Sequence, residues 1–150
     1  MDSIKLSKST LLGEVSVCSS KSVADRAIIL SALSGKKMKV NGVDLSKDII
    51  ATIEGLKALG AKIEYQDKTV SVDASFIKRN STCFVNAGES GSTLRFLIPL
   101  FIALNNETVF DGEGRLPKRP LDDYFELFDK EEIFYEKSED YLPLKVKNTF

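Results

Sequence analysis

A repeat of about 70 residues is the sequence feature that most restricts the fold of this chain. Val-Asn-Gly at residues 40–42 corresponds to Phe-Asp-Gly at 110–112, and Ile-Glu-Tyr at 63–65 corresponds to Ile-Phe-Tyr at 133–135. Arg26 corresponds to Arg95 at an offset of 69, which predicts one inserted residue between the helix start and the next strand. A duplicated unit explains these matches economically, and two unrelated segments are the alternative.

Hydrophobic periodicity predicts the elements of each copy. The first copy is predicted to contain strands at 4–6, 14–17, 62–65 and 69–72, a strand followed by a turn at 39–43, and helices at 22–34 and 46–59. The second is predicted to contain helices at 92–103 and 121–128, and strands at 108–110, 133–135 and 142–146. The apolar face of the second helix comprises Ile49, Ile50, Ile53, Leu56 and Leu59. The order βαβαββ predicts an α+β (mixed α/β) fold with helices on one side of mixed sheets.

Composition excludes several kinds of site. The chain has 150 residues, a formal charge of -1 and no histidine, which excludes histidine triads and imidazole metal ligands within it. No net basic field favours nucleic acid or membrane, and no long apolar run or signal-like N-terminus is present, so we expect a cytoplasmic protein. Cys18 and Cys83 lack CxxC spacing, and we expect small buried side chains rather than reactive thiols.

The start of the predicted helix at 22–34 has the residues of an anion site. Ser20, Lys21 and Ser22 lie where the first helical N–H groups have no partner, and Arg26 lies one turn later. Lysine supplies a point charge and arginine a fork of donors that suits phosphate or carboxylate. The alternative is ordinary helix capping with surface cations.

The second helix start predicts a similar site. Gly88 and Gly91 lack a Cβ and allow backbone N–H groups to approach a ligand. A basic loop with Arg115, Lys118 and Arg119 precedes the next helix, and its alternative is a solvated loop. Walker and GxGxxG motifs are absent from the sequence. We therefore expect the two helix starts to face a shared cleft for anions.

Three ordered motifs resemble those of the EPSP synthase family, the 3-phosphoshikimate 1-carboxyvinyltransferases. They are Ser-Lys-Ser-x-x-x-Arg-Ala at 20–27, Glu-Ser-Gly-Ser-Thr-Leu-Arg at 89–95 and Gly-Glu-x-Arg-x-x-x-Arg-Pro at 112–120. The resemblance runs from about residue 13 to 146. It implies repeated βαβαββ units of an incomplete, enolpyruvyl transferase-like alpha-beta prism. It also implies transfer of enolpyruvyl from phosphoenolpyruvate to shikimate 3-phosphate, with no metal or organic cofactor.

The resemblance implies roles for six residues. Lys21, Ser22 and Arg26 would bind shikimate 3-phosphate, and Lys21, Gly91 and Arg119 would bind phosphoenolpyruvate. Arg95 would support the second group. Glu89 replaces a residue that is often Asn in the family and is not assigned as a ligand, and Val17-Cys18-Ser19 replaces a frequent Leu-Pro-Gly.

The family enzyme is about three times as long, so the resemblance implies an inactive fragment without proton-transfer residues. It implies that residues 1–20 belong partly to another domain, that 21–83 form a first unit and that 84–150 form a second, truncated one. Two other functions stay open. One is a relative that acts on UDP-N-acetylglucosamine, and the other is a non-catalytic anion- or RNA-binding βαβαββ module. An RNA-binding module would need a basic sheet face with exposed aromatics, whereas Phe96, Phe101, Phe125 and Phe128 have core-like spacing.

Overall fold

The computed structural model describes residues 3–5, 7–8, 10 and 12–147. The α-helices are α1 (Lys21–Leu33), α2 (Lys47–Ala58), α3 (Gly91–Ala103) and α4 (Asp122–Lys130), and a short 3-10 helix spans Leu116–Lys118. The strands are β1 (Lys37–Asn41), β2 (Lys62–Gln66), β3 (Thr69–Asp73), β4 (Thr82–Asn86), β5 (Glu107–Asp111), β6 (Phe134–Lys137) and β7 (Leu144–Lys147). The predicted helices and most predicted strands are confirmed, with ends that differ by a few residues.

Two sheets share one pattern. The first has the order β1-β3-β2 and is antiparallel throughout. The second has the order β4-β5-β7-β6, in which β5, β7 and β6 repeat that arrangement and β4 adds a parallel neighbour to β5. Helix α3 makes the crossover that a parallel pair requires. Asp67 and Lys68, with φ of +47° and +58°, form the two-residue turn between β2 and β3.

The duplication predicted from the sequence is visible in the element boundaries. Helices α1 and α3 both contain 13 residues and begin 70 positions apart, and β1 and β5 both contain five residues at the same offset. The prediction of one inserted residue is therefore wrong. Position 26 of α1 corresponds to Phe96 of α3, and Asp25 corresponds to Arg95.

Helix α2 lies at the centre of the core and packs against α1, α3, β2 and β4. The missing side chain of Gly55 lets α2 approach α3 closely, since a Cβ at this position would collide with Leu97. Four of the five predicted face residues of α2 are buried, whereas Ile50 is 46% exposed and its prediction is wrong, since it lies about 100° around the helix from Ile49. One apolar core joins both units; its largest fully buried residues include Phe101, Phe110, Phe128, Ile28, Ile49, Leu56, Leu94 and Leu97.

The N-terminal strand predictions are wrong where the structure describes them. Residues 14–17 form neither helix nor strand, and Val15 and Val17 are 86% and 85% exposed. Their alternation was not sufficient, because a strand also needs a neighbour to pair with. Ile4 and Lys5 also lie outside any strand, and Leu6 lies outside the described residues.

Strand β4 was not predicted, although Cys83 and Val85 alternate inward along it. The strand spans the division expected between residues 83 and 84, so we propose that the second unit begins at Thr82. Cys83 is buried as expected, whereas Cys18 is exposed and its predicted burial is wrong. Both thiols are free. None of the helices formed by the described residues is long and apolar enough to cross a membrane.

An apolar groove of about 680 Å³ runs between α1 and α3. Leu30 and Leu33 of α1 line it and are 66% and 49% exposed, and Phe96 and Pro99 line it from α3. Arg26 also contributes to its wall. The described residues thus leave the facing sides of the two helices only partly covered.

Candidate anion-binding site

The start of α1 has no side-chain cap. Ser20 occupies the N-cap position, and its side chain makes no capping hydrogen bond. Ser46 and Ser90, at the same position of α2 and α3, each accept a hydrogen bond from a backbone N–H in the first turn. The positive end of α1 is therefore the more open of these helix starts to an external anion.

A pair of reciprocal hydrogen bonds holds the backbone that leads into α1. The Ser19 N–H donates to Asp44 Oδ2 at 2.8 Å, and the Asp44 N–H donates to Ser19 Oγ at 3.0 Å. Lys68 Nζ lies 2.8 Å from Asp44 Oδ1. The hydrogen bond from Lys68, followed by those from Ser19, lowers the pKa of Asp44. The turn before α1 is thus tied to the loop before α2.

Lys21, the first residue of α1, points toward the first turn of α2. Its ammonium contacts Asp48 Oδ2, and the side chain is half exposed. The hydrogen bond that Lys21 donates to Asp48 is the main cause that raises the pKa of Lys21, so the ammonium stays protonated. The sequence analysis missed Asp48 because 27 residues separate the pair and only the packing of α1 on α2 joins them.

Ser22 and Arg26 lie on the same end of α1. Ser22 is exposed in the first turn, and Arg26 Nη1 donates to its carbonyl at 2.9 Å. The Arg26 guanidinium lies 5.1 Å from the ring centroid of Phe96 on α3. This cation–π contact connects the two helices. The three residues expected to bind shikimate 3-phosphate are therefore close together.

Two arginines converge on Gly91, the first residue of α3. A Cβ at Gly91 would lie 2.8 Å from Arg119 Nη1 and 2.9 Å from Arg95 Nη1. Arg95 also donates to the Gly91 carbonyl at 3.3 Å and to the Pro120 carbonyl at 2.9 Å. Arg95 thereby holds the loop that carries Arg119. The structure brings together the glycine and both arginines that the sequence analysis selected.

The neighbouring loops pack against each other. The Glu113 N–H donates to the Gly88 carbonyl at 2.7 Å. The Glu89 carboxylate lies against Gly114, where a Cβ would be 2.9 Å from Oε2, and Gly114 has a φ of +58°. Arg115, Lys118 and Arg119 are all exposed, as the alternative of a solvated loop predicts. Of the three loop cations, Arg119 is the one beside Gly91.

A buried hydrogen-bond network lies beneath the two helix starts. Thr52 of α2 donates to Asp25 Oδ1 at 2.9 Å and lies 2.8 Å from Thr93 Oγ1. Thr93 in turn lies 2.8 Å from Ser90 Oγ and 3.3 Å from the Asp48 carbonyl. Asp25 is 1% exposed, and burial is the main cause that raises its pKa. The sequence analysis missed this network, because no periodicity marks polar residues that three separate helices bring together.

Both helix starts contact the same residue of α2, and the shared cleft for anions stays a prediction. Lys21 contacts the side chain of Asp48, and Thr93 contacts the backbone of the same residue. Both α1 and α3 therefore begin beside the first turn of α2. Within the described part of the chain, no group of three or more Cys, Asp or Glu side chains is placed to hold a metal ion.

A protein-family model matches nearly the whole chain. The model described as EPSP synthase (3-phosphoshikimate 1-carboxyvinyltransferase) matches residues 6–150. The chain belongs to the EPSP synthase family. The resemblance of the three motifs is thereby confirmed across nearly the whole chain.

Individual relatives lead to the same family. The chain is 41% identical over 150 residues to the 3-phosphoshikimate 1-carboxyvinyltransferase of Clostridium perfringens (strain 13 / Type A), a match that covers 99% of this chain. It is 40% identical over 154 residues to the protein of that name from Clostridioides difficile (strain 630). In both comparisons the chain spans 35% of the relative's length.

A solved structure shows the same fold. The EPSP synthase of Acinetobacter baumannii superimposes with a TM-score of 0.78 at 22% identity, over 91% of this chain and 32% of that one. The expected α+β fold of repeated units, as found in EPSP synthase, is thus confirmed.

Proposed function

We propose that this chain provides part of the substrate site of an enolpyruvyl transferase. The reaction is transfer of the enolpyruvyl group of phosphoenolpyruvate to the 5-hydroxyl of shikimate 3-phosphate, with release of phosphate, in the shikimate pathway of aromatic amino-acid synthesis. The observation that carries the proposal is the convergence of Arg95 and Arg119 on Gly91, beside a helix start linked through α2 to Lys21. Both substrates carry phosphate and carboxylate groups, which these donors suit.

Each predicted residue has a proposed role. Lys21, Ser22 and Arg26 bind shikimate 3-phosphate at the uncapped start of α1. Lys21, Gly91 through its backbone, and Arg119 bind phosphoenolpyruvate. Arg95 supports this second group through its bonds to the Gly91 and Pro120 carbonyls. An anion that reaches Lys21 must share its ammonium with Asp48 or displace that carboxylate.

The six residues assigned to the proposed site do not include a group that exchanges a proton near neutral pH. Arginine and lysine position anions and neutralise charge, but acid–base steps need a group that exchanges a proton near neutral pH. Because the chain spans about a third of its relatives, we propose that it binds anions weakly by itself without catalysing transfer. A metal-free and cofactor-free reaction and a cytoplasmic location remain predictions from the sequence and its resemblance.

An RNA-binding module has less support. Phe101, Phe125 and Phe128 are buried and unavailable for base stacking, which leaves Phe84 and Phe134 as the exposed phenylalanines on the described four-stranded sheet. On the four-stranded sheet, Lys145 Nζ lies 2.8 Å from Glu107 Oε1, so positive charge there is partly neutralised. The relatives described above are named 3-phosphoshikimate 1-carboxyvinyltransferase, which favours shikimate 3-phosphate over a UDP-sugar as the substrate.

The proposal is tested by titrating the 150-residue chain with shikimate 3-phosphate and with phosphoenolpyruvate by calorimetry. We expect Lys21→Ala to weaken binding of both by about tenfold or more, because a hydrogen bond between charged groups contributes about 1.5 to 3 kcal/mol. Lys57→Ala is the matched control, since Lys57 is a partly exposed cation in the last turn of α2 that pairs with Glu54 on the same helix. Equal affinities in Lys21→Ala and the unmodified chain would rule out the assigned site. Measurable enolpyruvyl transfer by this chain would contradict its proposed inactivity.

A further inference from the structure

The β6–β7 loop (residues 138–143) contacts the Arg119 loop (residues 112–121, between β5 and α4). The Tyr141 N–H donates to the Pro117 carbonyl at 2.8 Å. Pro117 is the middle residue of the short 3-10 helix and comes two residues before Arg119. The β6–β7 loop thus bonds directly to the turn of backbone that leads into Arg119.

The Tyr141 side chain makes a second contact, with the residues that follow Arg119. Its hydroxyl donates to the Asp122 carboxylate and lies 2.9 Å from Oδ2 and 3.2 Å from Oδ1. Asp122 is the first residue of α4, three positions after Arg119. The Tyr141 ring also stacks nearly parallel to that of Phe125, with ring centroids 5.9 Å apart. Tyr141 therefore bonds to the chain on both sides of Arg119 in the sequence, at Pro117 and at Asp122.

The next residue of the β6–β7 loop packs against the beginning of the Arg119 loop. Leu142 is 3% exposed, and a Cβ at Gly112 would lie 3.0 Å from its Cδ1 and 2.6 Å from Leu116 Cδ2. Both leucine side chains therefore pack on Gly112. The Ser138 hydroxyl donates to the Leu142 carbonyl and closes the β6–β7 loop on itself. The two loops are thus joined by apolar packing as well as by hydrogen bonds.

The first unit has a similar arrangement at its own helix start. Its β2–β3 turn accepts a hydrogen bond at the Lys68 carbonyl from the Val43 N–H at 2.8 Å, and the Lys68 ammonium pairs with Asp44. Asp44 and Ser19 exchange the hydrogen bonds that hold the backbone before α1. In both units, therefore, the hairpin bonds to the loop that lies beside a helix start. The second unit replaces the two-residue turn by six residues that include Tyr141.

We propose that Tyr141 is a positioning residue that holds Arg119 beside Gly91 through its bonds to Pro117 and Asp122. The inference rests on the proposed function, since it assigns a support to the phosphoenolpyruvate part of that site. Arg119 is exposed, so the place of its backbone largely decides where its guanidinium lies. A guanidinium that is already placed loses less conformational entropy when an anion binds, and the bonds of Tyr141 should therefore strengthen binding.

A ligand-free measurement tests the contact between the loops by itself. Tyr141→Phe keeps the ring and the backbone N–H and removes only the hydroxyl. We expect the Arg119 amide, followed by NMR, to exchange with solvent about fivefold faster in this variant, while the amides of β5 stay unchanged. Tyr135→Phe is the matched control, because Tyr135 also stacks on Phe125 but its hydroxyl faces Asp129, further along α4. Unchanged exchange at Arg119 in Tyr141→Phe would overturn the proposal.

Calorimetric titration tests the consequence for binding. We expect Tyr141→Phe to weaken phosphoenolpyruvate binding about fivefold and to leave the affinity for shikimate 3-phosphate unchanged, since Arg119 is assigned to the first ligand alone. Asp122→Ala should have the same effect, and the double variant should bind no more weakly than either single variant, because both changes remove one hydrogen bond. Asp123→Ala, which removes the neighbouring acidic residue in the first turn of α4, should behave like the unmodified chain.

The two measurements separate this inference from the proposed function. Equal losses of affinity for both ligands in Tyr141→Phe would indicate a general structural role and would contradict the inference. Additive losses in the double variant would also contradict it, since Tyr141 and Asp122 would then act independently. Failure of phosphoenolpyruvate to bind the unmodified chain would contradict the proposed function instead, while the exchange of the Arg119 amide would still decide whether Tyr141 holds that loop.

Discussion

The two repeated units build the proposed anion-binding helix starts from different residues on one backbone plan. Position 21 of the first unit corresponds to position 91 of the second, since α1 and α3 begin 70 residues apart with equal lengths. In the first unit this position is Lys21, which itself supplies the cation. In the second it is Gly91, whose missing Cβ leaves room for Arg95 and Arg119. The comparison teaches that two helices on the same backbone plan can carry positive charge at different positions.

The units also differ in packing. Phe101 and Phe110 are fully buried and meet edge to face with ring centroids 5.6 Å apart. The corresponding positions in the first unit are Ser31 and Val40. Ser31 is buried, and its hydroxyl donates to the Ala27 carbonyl at 2.7 Å. The second unit also has a fourth strand, so we expect its backbone amides to exchange more slowly than those of the first.

The largest effect should come from truncating the core of the second unit. Phe101→Ala should reduce the free energy of unfolding by about 3 to 5 kcal/mol, because it removes a fully buried ring and leaves a cavity. Ser31→Ala at the corresponding position should change it by less than about 1 kcal/mol, since it removes only a hydroxyl bonded within its own helix. Urea unfolding followed by circular dichroism measures both. Similar losses in the two variants would show that the units are equally packed there.

A methyl group at the second helix start should affect binding rather than stability. Gly91→Ala places a Cβ within 3 Å of both arginine nitrogens and should displace them, which should weaken phosphoenolpyruvate binding by about tenfold. Helix propensity favours alanine over glycine by about 1 kcal/mol, so the midpoint of thermal unfolding should not fall greatly. Calorimetric titration and thermal unfolding of the same sample make the distinction. Unchanged binding would remove Gly91 from the site.

Two serines at corresponding N-cap positions should behave differently. Ser90→Ala should cost about 1 kcal/mol in the free energy of unfolding, because Ser90 Oγ accepts from the Thr93 N–H. Ser20→Ala should cost only a few tenths of a kcal/mol, since Ser20 makes no side-chain cap. Chemical unfolding of the two single variants provides the measurement. Equal costs would mean that Ser20 caps α1 in solution.

The smallest effect concerns ion pairs with reversed charge in the two sheets. Lys37 of β1 pairs with Asp73, whereas Glu107, at the corresponding position of β5, pairs with Lys145 and Lys147. The hydrogen bond from Lys145 is the main cause that lowers the pKa of Glu107 from its ordinary value of 4.5. As the pH falls, the Glu107 carboxyl therefore takes up a proton in the unfolded state before it does so in the folded state. The stabilisation is thus present above pH 4.5 and is lost as the pH falls through the lower folded-state pKa.

Glu107→Gln should make unfolding stability slightly less dependent on pH in this acid range. Titrating the unfolding midpoint from neutral to acid pH measures the change. High salt is the control, because screening should reduce the difference for such exposed groups. An unchanged acid slope at low salt would show that the pairs contribute nothing.

The repeat, the helices and the site residues were predictable from the sequence because they depend on local patterns. Apolar spacing predicted α1 through α4, and the three motifs selected Lys21, Gly91 and Arg119. The constant offset of 70 between the two units was not predictable. Arg26 and Arg95 are the same residue type, but Arg26 corresponds in the structure to position 96, one residue after Arg95. The exposed residues at 14–17 have the alternation of a strand, and only the absence of a paired neighbour among the described strands shows that they are not one.

What the sequence by itself determined is therefore the helices, most of the strands, the family and the residue types at two helix starts. Only the tertiary structure decided that Asp48 holds Lys21, that Arg95 holds the loop of Arg119, and that a carboxyl on α1 connects to hydroxyls on α2 and α3. The physical reason is that these contacts join residues 25 to 41 positions apart. Hydrogen bonds between side chains act over about 3 Å, so they exist only once helix packing has placed the groups together.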